Sequence, residues 1–203
     1  MPWLTHCCQL CAVPLAAQSQ SAYCGACLQQ PPIFHQAHAL FLYSTPVNRL
    51  IWDLKFRHRL AVAQVLGYLL AEQMAVYYAQ QTCYPDVLIP VPLHRNRLRE
   101  RGFNQALELA RPISKQLKIP LDFTVCKRIR ETATQTGLSA KERAKNVKHA
   151  FTLQKQLKAQ HVCLIDDVMT TGHTIAALSH SLQRQGTTRI DVWCSARSAV
   201  DSR

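Results

Sequence analysis

Residues 161–174, HVCLIDDVMTTGHT, decide the fold of this chain. The unbroken apolar run at 162–165 predicts a strand buried on both faces of a parallel sheet. Two adjacent carboxylates, Asp166 and Asp167, end that strand, and a short loop of hydroxyl residues and one glycine follows. From Ile175 onward the apolar residues recur at helical spacing. Strand, acidic pair, loop and helix together predict an α/β fold with a site at the carboxyl end of the strand.

This order of elements builds an anion site. The loop amides and the N-terminus of the following helix face a phosphate, and a glycine lets the backbone approach it closely. The residues expected around the phosphate are Thr170, Thr171, Gly172, His173 and Thr174. Asp166 and Asp167 are the catalytic candidates, because their carboxylates suit sugar hydroxyls or a hydrated magnesium ion. The alternative is a Rossmann-like turn with an incidental acidic pair.

Four cysteines near the N-terminus predict a small metal-binding module over residues 1–32. Cys8-x-x-Cys11 and Cys24-x-x-Cys27 have the spacing of a tetrahedral Zn²⁺ site with four thiolate ligands. The segment between the pairs is too short to bury its own core, so the metal would supply much of the folding free energy. Cys7 is a spare that competes with Cys8 for the ligand position; the Cys8 register gives the regular spacing. Disulfides or a redox dithiol are the alternatives.

The rest of the chain divides into a connector at 33–85, with a strand and helices packed on the core, and an α/β core at 86–203. In the core, the apolar strand at 87–92 leads into a loop dense in hydrogen-bond donors. Its guanidinium groups belong to Arg95, Arg97, Arg99 and Arg101. Fork-shaped cations on one loop suit a diphosphate or a nucleic-acid backbone, whereas the alternative is a solvated basic loop. Pro112 predicts a kink or a break in the helix that follows.

Positive charge is concentrated around these loops. The 203 residues have a formal net charge of +12. Residues 90–148 contain 14 lysines and arginines against 5 aspartates and glutamates, a difference of +9. One diphosphate does not need that many cations, so a path for single-stranded DNA is predicted. Its candidate residues are Arg95, Arg97, Arg99, Arg101, Lys141, Arg143, Lys145 and Lys148. Aromatic residues are sparse in this range, which gives base stacking little support.

The phosphate-loop stretch resembles the 5-phosphoribosyl pyrophosphate (PRPP) binding motif of type I phosphoribosyltransferases. Beyond it, the chain resembles the ComF/GntX family of bacterial competence-associated proteins along nearly its whole length. That resemblance rests on the two cysteine pairs, on LIWDLKF at 50–56, on PVPLHRNRLRERGFNQ at 90–105, on TQTGLSAKERAKN at 134–146 and on the Asp166-Asp167 loop.

The resemblance implies a type I phosphoribosyltransferase fold with a zinc-binding N-terminus, Mg²⁺ bound together with PRPP, and a role in DNA uptake during natural transformation. A DNA-uptake helicase or other competence proteins are the implied partners. Arg95, Arg99 and Arg101 would bind the pyrophosphate. A mobile segment between the second and third core strands would close over PRPP as a lid, and Arg130 or Arg143 would bring a positive charge to the ligand when it closes.

Two functions remain open at the level of sequence. One is a PRPP- and single-stranded-DNA-binding protein; the other is an active phosphoribosyltransferase of nucleotide or related metabolism. Little chain follows the strand at 189–195, so a wall around an acceptor base would have to come from the N-terminal module. No secretory signal opens the sequence, and polar residues interrupt the apolar stretch at 60–78. We therefore expect a cytoplasmic protein without membrane insertion.

Overall fold

A computed structural model of the chain describes residues 1–81, 83–130 and 150–199. The elements within those residues are numbered here in chain order. They are α1 (Gly25–Gln29), β1 (Gln36–Leu42), α2 (Val47–Arg57), α3 (Leu60–Tyr78), β2 (Val87–Pro90), α4 (Arg95–Arg101), α5 (Gln105–Leu117), β3 (Cys126–Arg128), β4 (Phe151–Leu153), β5 (His161–Met169), α6 (His173–Gln183) and β6 (Arg189–Arg197).

Four of the strands form one parallel sheet in the order β1-β6-β5-β2. The two central strands are the longest and the most deeply buried, as the apolar run in β5 predicted. In the register of this sheet, Ile89 of β2 lies beside Leu164 of β5, and Leu164 lies beside Val192 of β6. Because all four strands run the same way, their carboxyl ends and the loops that follow them meet at one edge of the sheet.

Apolar side chains fill both faces of the sheet. Cys163 and Ile165 of β5 join a cluster with α2, α3 and α5, whereas Val162 and Leu164 join a cluster with α6 and residues of the N-terminal module. The N-terminal residues also pair with β1, because the Leu4 N–H donates to the Leu40 carbonyl at 2.9 Å. Helices and the N-terminal segment therefore cover a doubly buried parallel sheet.

Helices α3 and α5 approach each other closely. A β-carbon added at Gly67 would lie 2.4 Å from the Pro112 side chain and 2.7 Å from the Leu109 carbonyl oxygen. Pro112 was expected to kink or break α5, and of these the break does not occur, because the helix continues from Gln105 to Leu117. The proline ring is buried against Gly67 of α3, although proline cannot donate the backbone hydrogen bond of this helical turn.

Three boundaries differ from the sequence expectations. Strand β5 does not end at the acidic pair but runs through both carboxylates to Met169. The donor-rich segment after β2 is the short helix α4, with His94 as its N-cap and Gly102 at φ 75° as its C-cap, rather than a loop. The sequence at 123–129 also favours a strand, but only Cys126–Arg128 forms one, and it pairs with β4 as an antiparallel ribbon apart from the sheet.

Helix α3 is, among the described residues, the one long and apolar enough by length and composition to cross a membrane. Core helices of soluble proteins meet the same criterion. Here Leu66, Leu70 and Met74 are buried against the sheet and α5. Val65 of the same helix, in contrast, is 58% exposed. The packing of α3 is that of a core helix.

Candidate functional site: the carboxyl edge of the sheet

The loops after β2 and β5 lie side by side, because these two strands are neighbours in the sheet. The Val91 N–H donates to the Ile165 carbonyl at 2.9 Å, one residue before the acidic pair. The Asn104 side-chain amide donates to the Val91 carbonyl at 3.1 Å and also caps α5 by accepting from the Ala106 N–H. The basic segment is thereby fixed beside the acidic pair.

Asp166 and Asp167 project to opposite faces of the sheet, since they are consecutive residues of one strand. Asp167 is 3% exposed and forms an ion pair with Lys55 of α2. Its other oxygen accepts from the Gln105 side-chain amide at 3.3 Å. Arg101 in turn donates to the Gln105 side-chain oxygen at 2.6 Å. These four side chains form a connected network that links α2, α4, α5 and β5.

Asp166 lies on the face of α6 and is only partly buried. Its carboxylate accepts from the Asp167 backbone N–H at 2.9 Å. Burial, reinforced by the charge of Asp167, raises the pKa of Asp166 well above its ordinary value. The ionised form is therefore held at a cost in free energy, which a ligand with hydroxyl groups or a cation would offset.

The expected phosphate loop joins β5 to α6. Gly172 is the N-cap of α6 and has φ 77°, a conformation that favours glycine. Its carbonyl accepts from the Ala176 N–H, whereas the N–H groups of the first turn have no partner within the helix. Thr171 Oγ1 lies 3.0 Å from His173 Nδ1. Helix α6 has eleven residues, so its N-terminus offers the partial positive charge and the donors that an anion requires.

Arg197, at the end of β6, was not identified from the sequence. It is 3% exposed, and its guanidinium donates to the Met169 carbonyl at 3.0 Å and to the Thr170 carbonyl. The same side chain donates to the Cys11 carbonyl at 2.9 Å. A buried cation thus ties the start of the phosphate loop to the first cysteine pair. An arginine at the end of a strand gives no signal of this role in the sequence.

The other cations take different positions. Arg101 is half-buried in the Asp167 network, and Arg97 is partly buried, whereas Arg95 and Arg99 are exposed on α4. Arg130 is exposed next to the ribbon of β3 and β4, where the Ile129 N–H donates to the Ala150 carbonyl at 2.8 Å. The remaining candidates lie outside the described residues. They are Lys141, Arg143, Lys145 and Lys148.

The sulfur atoms of Cys8, Cys11, Cys24 and Cys27 lie within 4.8 Å of one another. Cys11 and Cys24 are 3.6 Å apart, close to the S···S separation of about 3.8 Å that four thiolates adopt around zinc. Burial opposes ionisation of Cys8, but backbone N–H groups, including those of Cys11 and Cys24, lower its pKa to about 7. Burial and the neighbouring thiols raise the pKa of Cys27. Thiolates this close together require a cation, so the cluster fits a metal ion. Cys7 lies outside the cluster.

Comparison with known proteins agrees with this architecture. A family model described as the phosphoribosyl transferase domain matches residues 104–201. The DNA utilization protein YhgH of Shigella flexneri is 38% identical over 194 residues, which are 94% of this chain and 84% of that protein. Competence protein F of Haemophilus influenzae is 37% identical over 187 residues, 89% of this chain and 81% of that protein. The chain belongs to the ComF/GntX family.

More distant relatives extend this comparison. Competence protein ComFC of Bacillus subtilis is 27% identical over 191 residues, which are 89% of this chain and 73% of that protein. Among solved structures, a purine phosphoribosyltransferase from Pyrococcus horikoshii aligns with a TM-score of 0.40 and 21% identity, over 69% of this chain and 77% of that chain. The fold of this ComF/GntX protein is that of a type I phosphoribosyltransferase, with a four-cysteine cluster at its N-terminus that can bind a metal ion.

The ComF/GntX motif LIWDLKF at 50–56 contains a residue whose position the sequence left open. A lysine at the basic end of a helix can be solvated or can face an anion, and the structure places Lys55 on Asp167. Its side chain is 22% exposed and that of Asp167 is 5% exposed. Helix α2 therefore contributes directly to the edge where the carboxyl ends of β2 and β5 meet.

Proposed function

We propose that this protein binds PRPP with Mg²⁺ at the carboxyl edge of the sheet and binds single-stranded DNA beside it, acting in the cytoplasm in DNA uptake. One observation carries the first part. Asp166 lies near the end of β5, and a three-residue turn at 170–172, whose Gly172 has the positive φ of a tight anion loop, joins that strand to the N-terminus of α6. A carboxylate and a helix N-terminus on one strand–turn–helix unit suit a ribose with a phosphate on its 5′ carbon.

In this proposal the ligand's parts are divided among neighbouring elements. The hydroxyls of Thr170, Thr171 and Thr174 and the first-turn amides of α6 hold the 5′-phosphate. Asp166 accepts from the ribose hydroxyls, and Asp167 supports it from the other face while paired to Lys55. The arginines of α4 bind the pyrophosphate with Mg²⁺, and Arg101 is the nearest to the acidic pair through Gln105.

The DNA-binding part of the proposal is supported by charge and by the relatives. Arg95 and Arg99 are exposed on α4 next to the proposed PRPP site. The relatives are named for DNA utilization and for competence. A DNA-uptake helicase or another competence protein would be the source of the strand. The expected contacts are with the phosphate backbone, so binding should weaken steeply with added salt.

The four-cysteine cluster is proposed to hold structural Zn²⁺. Four thiolates close the coordination shell, so the metal contributes folding free energy rather than chemistry. Arg197 extends that contribution to the phosphate loop, because it donates both to the Cys11 carbonyl and to the carbonyls at the start of the loop. Loss of the metal is therefore expected to loosen the proposed PRPP site.

Calorimetric titration with PRPP and Mg²⁺ tests the first part. Wild type should bind, Asp166→Asn should not, and Thr171→Ala should bind more weakly by about 1 kcal/mol for one lost hydrogen bond. Thr188→Ala is the matched control, since this exposed threonine lies at the opposite end of the sheet, before β6. If Asp166→Asn bound PRPP as tightly as wild type, the assignment of the site would be wrong. If wild type did not bind PRPP, the proposal itself would be wrong.

Anisotropy with a labelled single-stranded oligonucleotide tests the second part. Affinity should fall linearly in a plot of log K against log salt, with a slope of about −0.7 per phosphate contact. Arg95→Ala and Arg99→Ala should each reduce the magnitude of that slope by about 0.7, the contribution of one phosphate contact. A wild-type protein that does not bind the oligonucleotide at low salt would contradict this part while leaving PRPP binding intact.

A second candidate function is transfer of the phosphoribosyl group, favoured by the match to the phosphoribosyl transferase domain. The bond from the ribose carbon to pyrophosphate would break through an oxocarbenium-like state, and an acceptor nucleophile would bond to that carbon. Asp166 would stabilise the developing positive charge. Pyrophosphate release measured with a panel of acceptors tests this function, and a lack of release with every acceptor would count against transfer.

A further inference from the structure

Helix α2 exposes two aromatic side chains on a basic surface next to the proposed PRPP site. Trp52 is 49% exposed and Phe56 is 59% exposed. They are one helical turn apart, with ring centroids at 5.4 Å and an interplanar angle of 40°. Neither ring joins the core clusters of the described residues. Two large rings kept together in water are typical of a binding surface.

Cations flank both rings. The Arg57 guanidinium lies 5.2 Å from the centre of the Trp52 ring, and that of Arg101 lies 5.7 Å from the centre of the Phe56 ring. Arg101 also donates to Gln105, which contacts Asp167. The aromatic pair is therefore continuous with the acidic network at the edge of the sheet, although the two lie far apart in sequence.

A surface pocket of about 440 Å³ opens beside Trp52. Its lining combines two aromatic rings, two cations, one carboxylate and one amide. These groups belong to Tyr43, Trp52, Arg49, Arg57, Asp53 and Asn48. Asp53 is paired with Arg57 at 3.4 Å and with Arg59 at 3.0 Å, and Arg49 adds a further cation to the pocket, so the surface stays cationic. Aromatic faces, phosphate-binding cations and hydrogen-bonding groups for a base edge are the chemistry of a nucleotide site.

We infer that Trp52 and Phe56 form a stacking platform for unpaired bases of single-stranded DNA, with one base entering the pocket beside Trp52. Arg49 and Arg57 contact the adjoining phosphates. The inference rests on the DNA-binding part of the proposed function and locates its base contacts on α2. Successive rings bordered by arginines match a polymer that alternates π faces and phosphates, whereas a free nucleotide would engage only one ring.

The test compares two labelled oligonucleotides of equal length, a thymidine 20-mer and its abasic counterpart, with the full-length protein. Wild type should prefer the thymidine strand. Trp52→Ala should lose that preference and bind the thymidine strand about 5- to 150-fold more weakly. Trp52→Phe should keep most of the affinity but lose the quenching of tryptophan fluorescence by DNA. Tyr68→Ala is the matched control, an exposed aromatic on α3 away from this surface.

The outcomes separate this inference from the function on which it rests. Equal binding of both strands, unchanged in Trp52→Ala, would overturn the stacking platform and leave backbone binding in place. Binding of neither strand would remove DNA binding and the platform together. If free thymidine monophosphate bound as tightly as the 20-mer, the ligand of this surface would be a single nucleotide rather than a strand, and the inference would be overturned. PRPP binding by Trp52→Ala, measured by calorimetry, verifies that the variant is folded.

Discussion

Removing the cation opposite Asp167 should destabilise the protein more than removing the carboxylate opposite Lys55. The two side chains form one ion pair, but they are buried unequally, with 22% of Lys55 and 5% of Asp167 exposed. In Lys55→Met the apolar stem is retained and the charge is lost, so a buried carboxylate remains with only the Gln105 amide at 3.3 Å. In Asp167→Asn the remaining ammonium group can turn toward water.

The expected magnitudes follow from this asymmetry. Breaking a fully buried pair costs about 3–5 kcal/mol, and the exposure of Lys55 places Lys55→Met near the lower end, about 3 kcal/mol. Asp167→Asn should cost about 1 kcal/mol, the value of a hydrogen bond that water can replace. The double variant should be closer to Asp167→Asn than to Lys55→Met, at about 1–2 kcal/mol, which gives a coupling free energy of about 2–3 kcal/mol.

Urea unfolding of the zinc-loaded protein, monitored by circular dichroism, measures these differences. Lys55→Met should also lower the melting temperature by about 6–12 °C, at 2–4 °C for each kcal/mol. Arg111→Met is the matched control, because its pair with Glu108 at 3.4 Å leaves 55% of the arginine side chain exposed and should contribute less than about 1 kcal/mol. An effect of Lys55→Met no larger than that of this control, or smaller than that of Asp167→Asn, would refute the reasoning.

Further predictions concern the acidic site, the buried Asp191 of β6 and the metal cluster. Asp166→Asn removes a carboxylate whose pKa is raised by burial, so it should increase the free energy of unfolding by about 0.5–2 kcal/mol. The same change should abolish PRPP binding. Thermal melts measure the stability and calorimetry measures the binding, and a variant less stable than wild type would contradict the predicted gain in stability. Burial acts to raise the pKa of Asp191, but hydrogen bonds, first that of His161, lower it below 3.8. Around that pKa the folded protein binds fewer protons than the unfolded chain, so the stability that ionised Asp191 contributes is present above pH 3.8 and is lost as the pH falls through the lowered pKa. Asp191→Asn should therefore make the free energy of unfolding, measured by urea titration at a series of acidic pH values, depend less steeply on pH. Cys7→Ser should retain bound zinc and Cys8→Ser should lose it, as measured by atomic emission, and the reverse result would exchange their roles.

Contiguous motifs allowed the local parts of the site to be predicted. The loop at 170–174 and the helix after it could be read from the sequence, because a strand, a glycine and a helix start lie within a few consecutive residues. Spacing likewise indicated the cysteine cluster, since each pair chelates from one turn. The orientation of the acidic pair was not anticipated. Strand β5 continues through Asp166 and Asp167, and the alternation of side chains in a strand then separates them onto opposite faces.

The proposed base-stacking residues lie outside the most basic segment of the sequence for a similar reason. Residues 90–148 have the highest charge but few aromatics, so stacking received little support from the sequence. The structure places Arg101 of α4 over Phe56 of α2, which combines the cations of one segment with the aromatics of another. Sequence distance conceals this contact, because α2 and α4 are brought together by the sheet on which the chain packs.

The sequence by itself determined the α/β fold, the four-cysteine cluster, the strand–turn–helix unit at 161–183 and the family, since each depends on residues close together in the chain. Only the tertiary structure decided which long-range partners complete the edge of the sheet. Lys55 reaches Asp167 from α2, and Arg197 joins the phosphate loop to Cys11 from the last strand. Parallel strands gather their carboxyl ends at one edge whatever their order in sequence, so partners from distant segments meet there without any local pattern to indicate it.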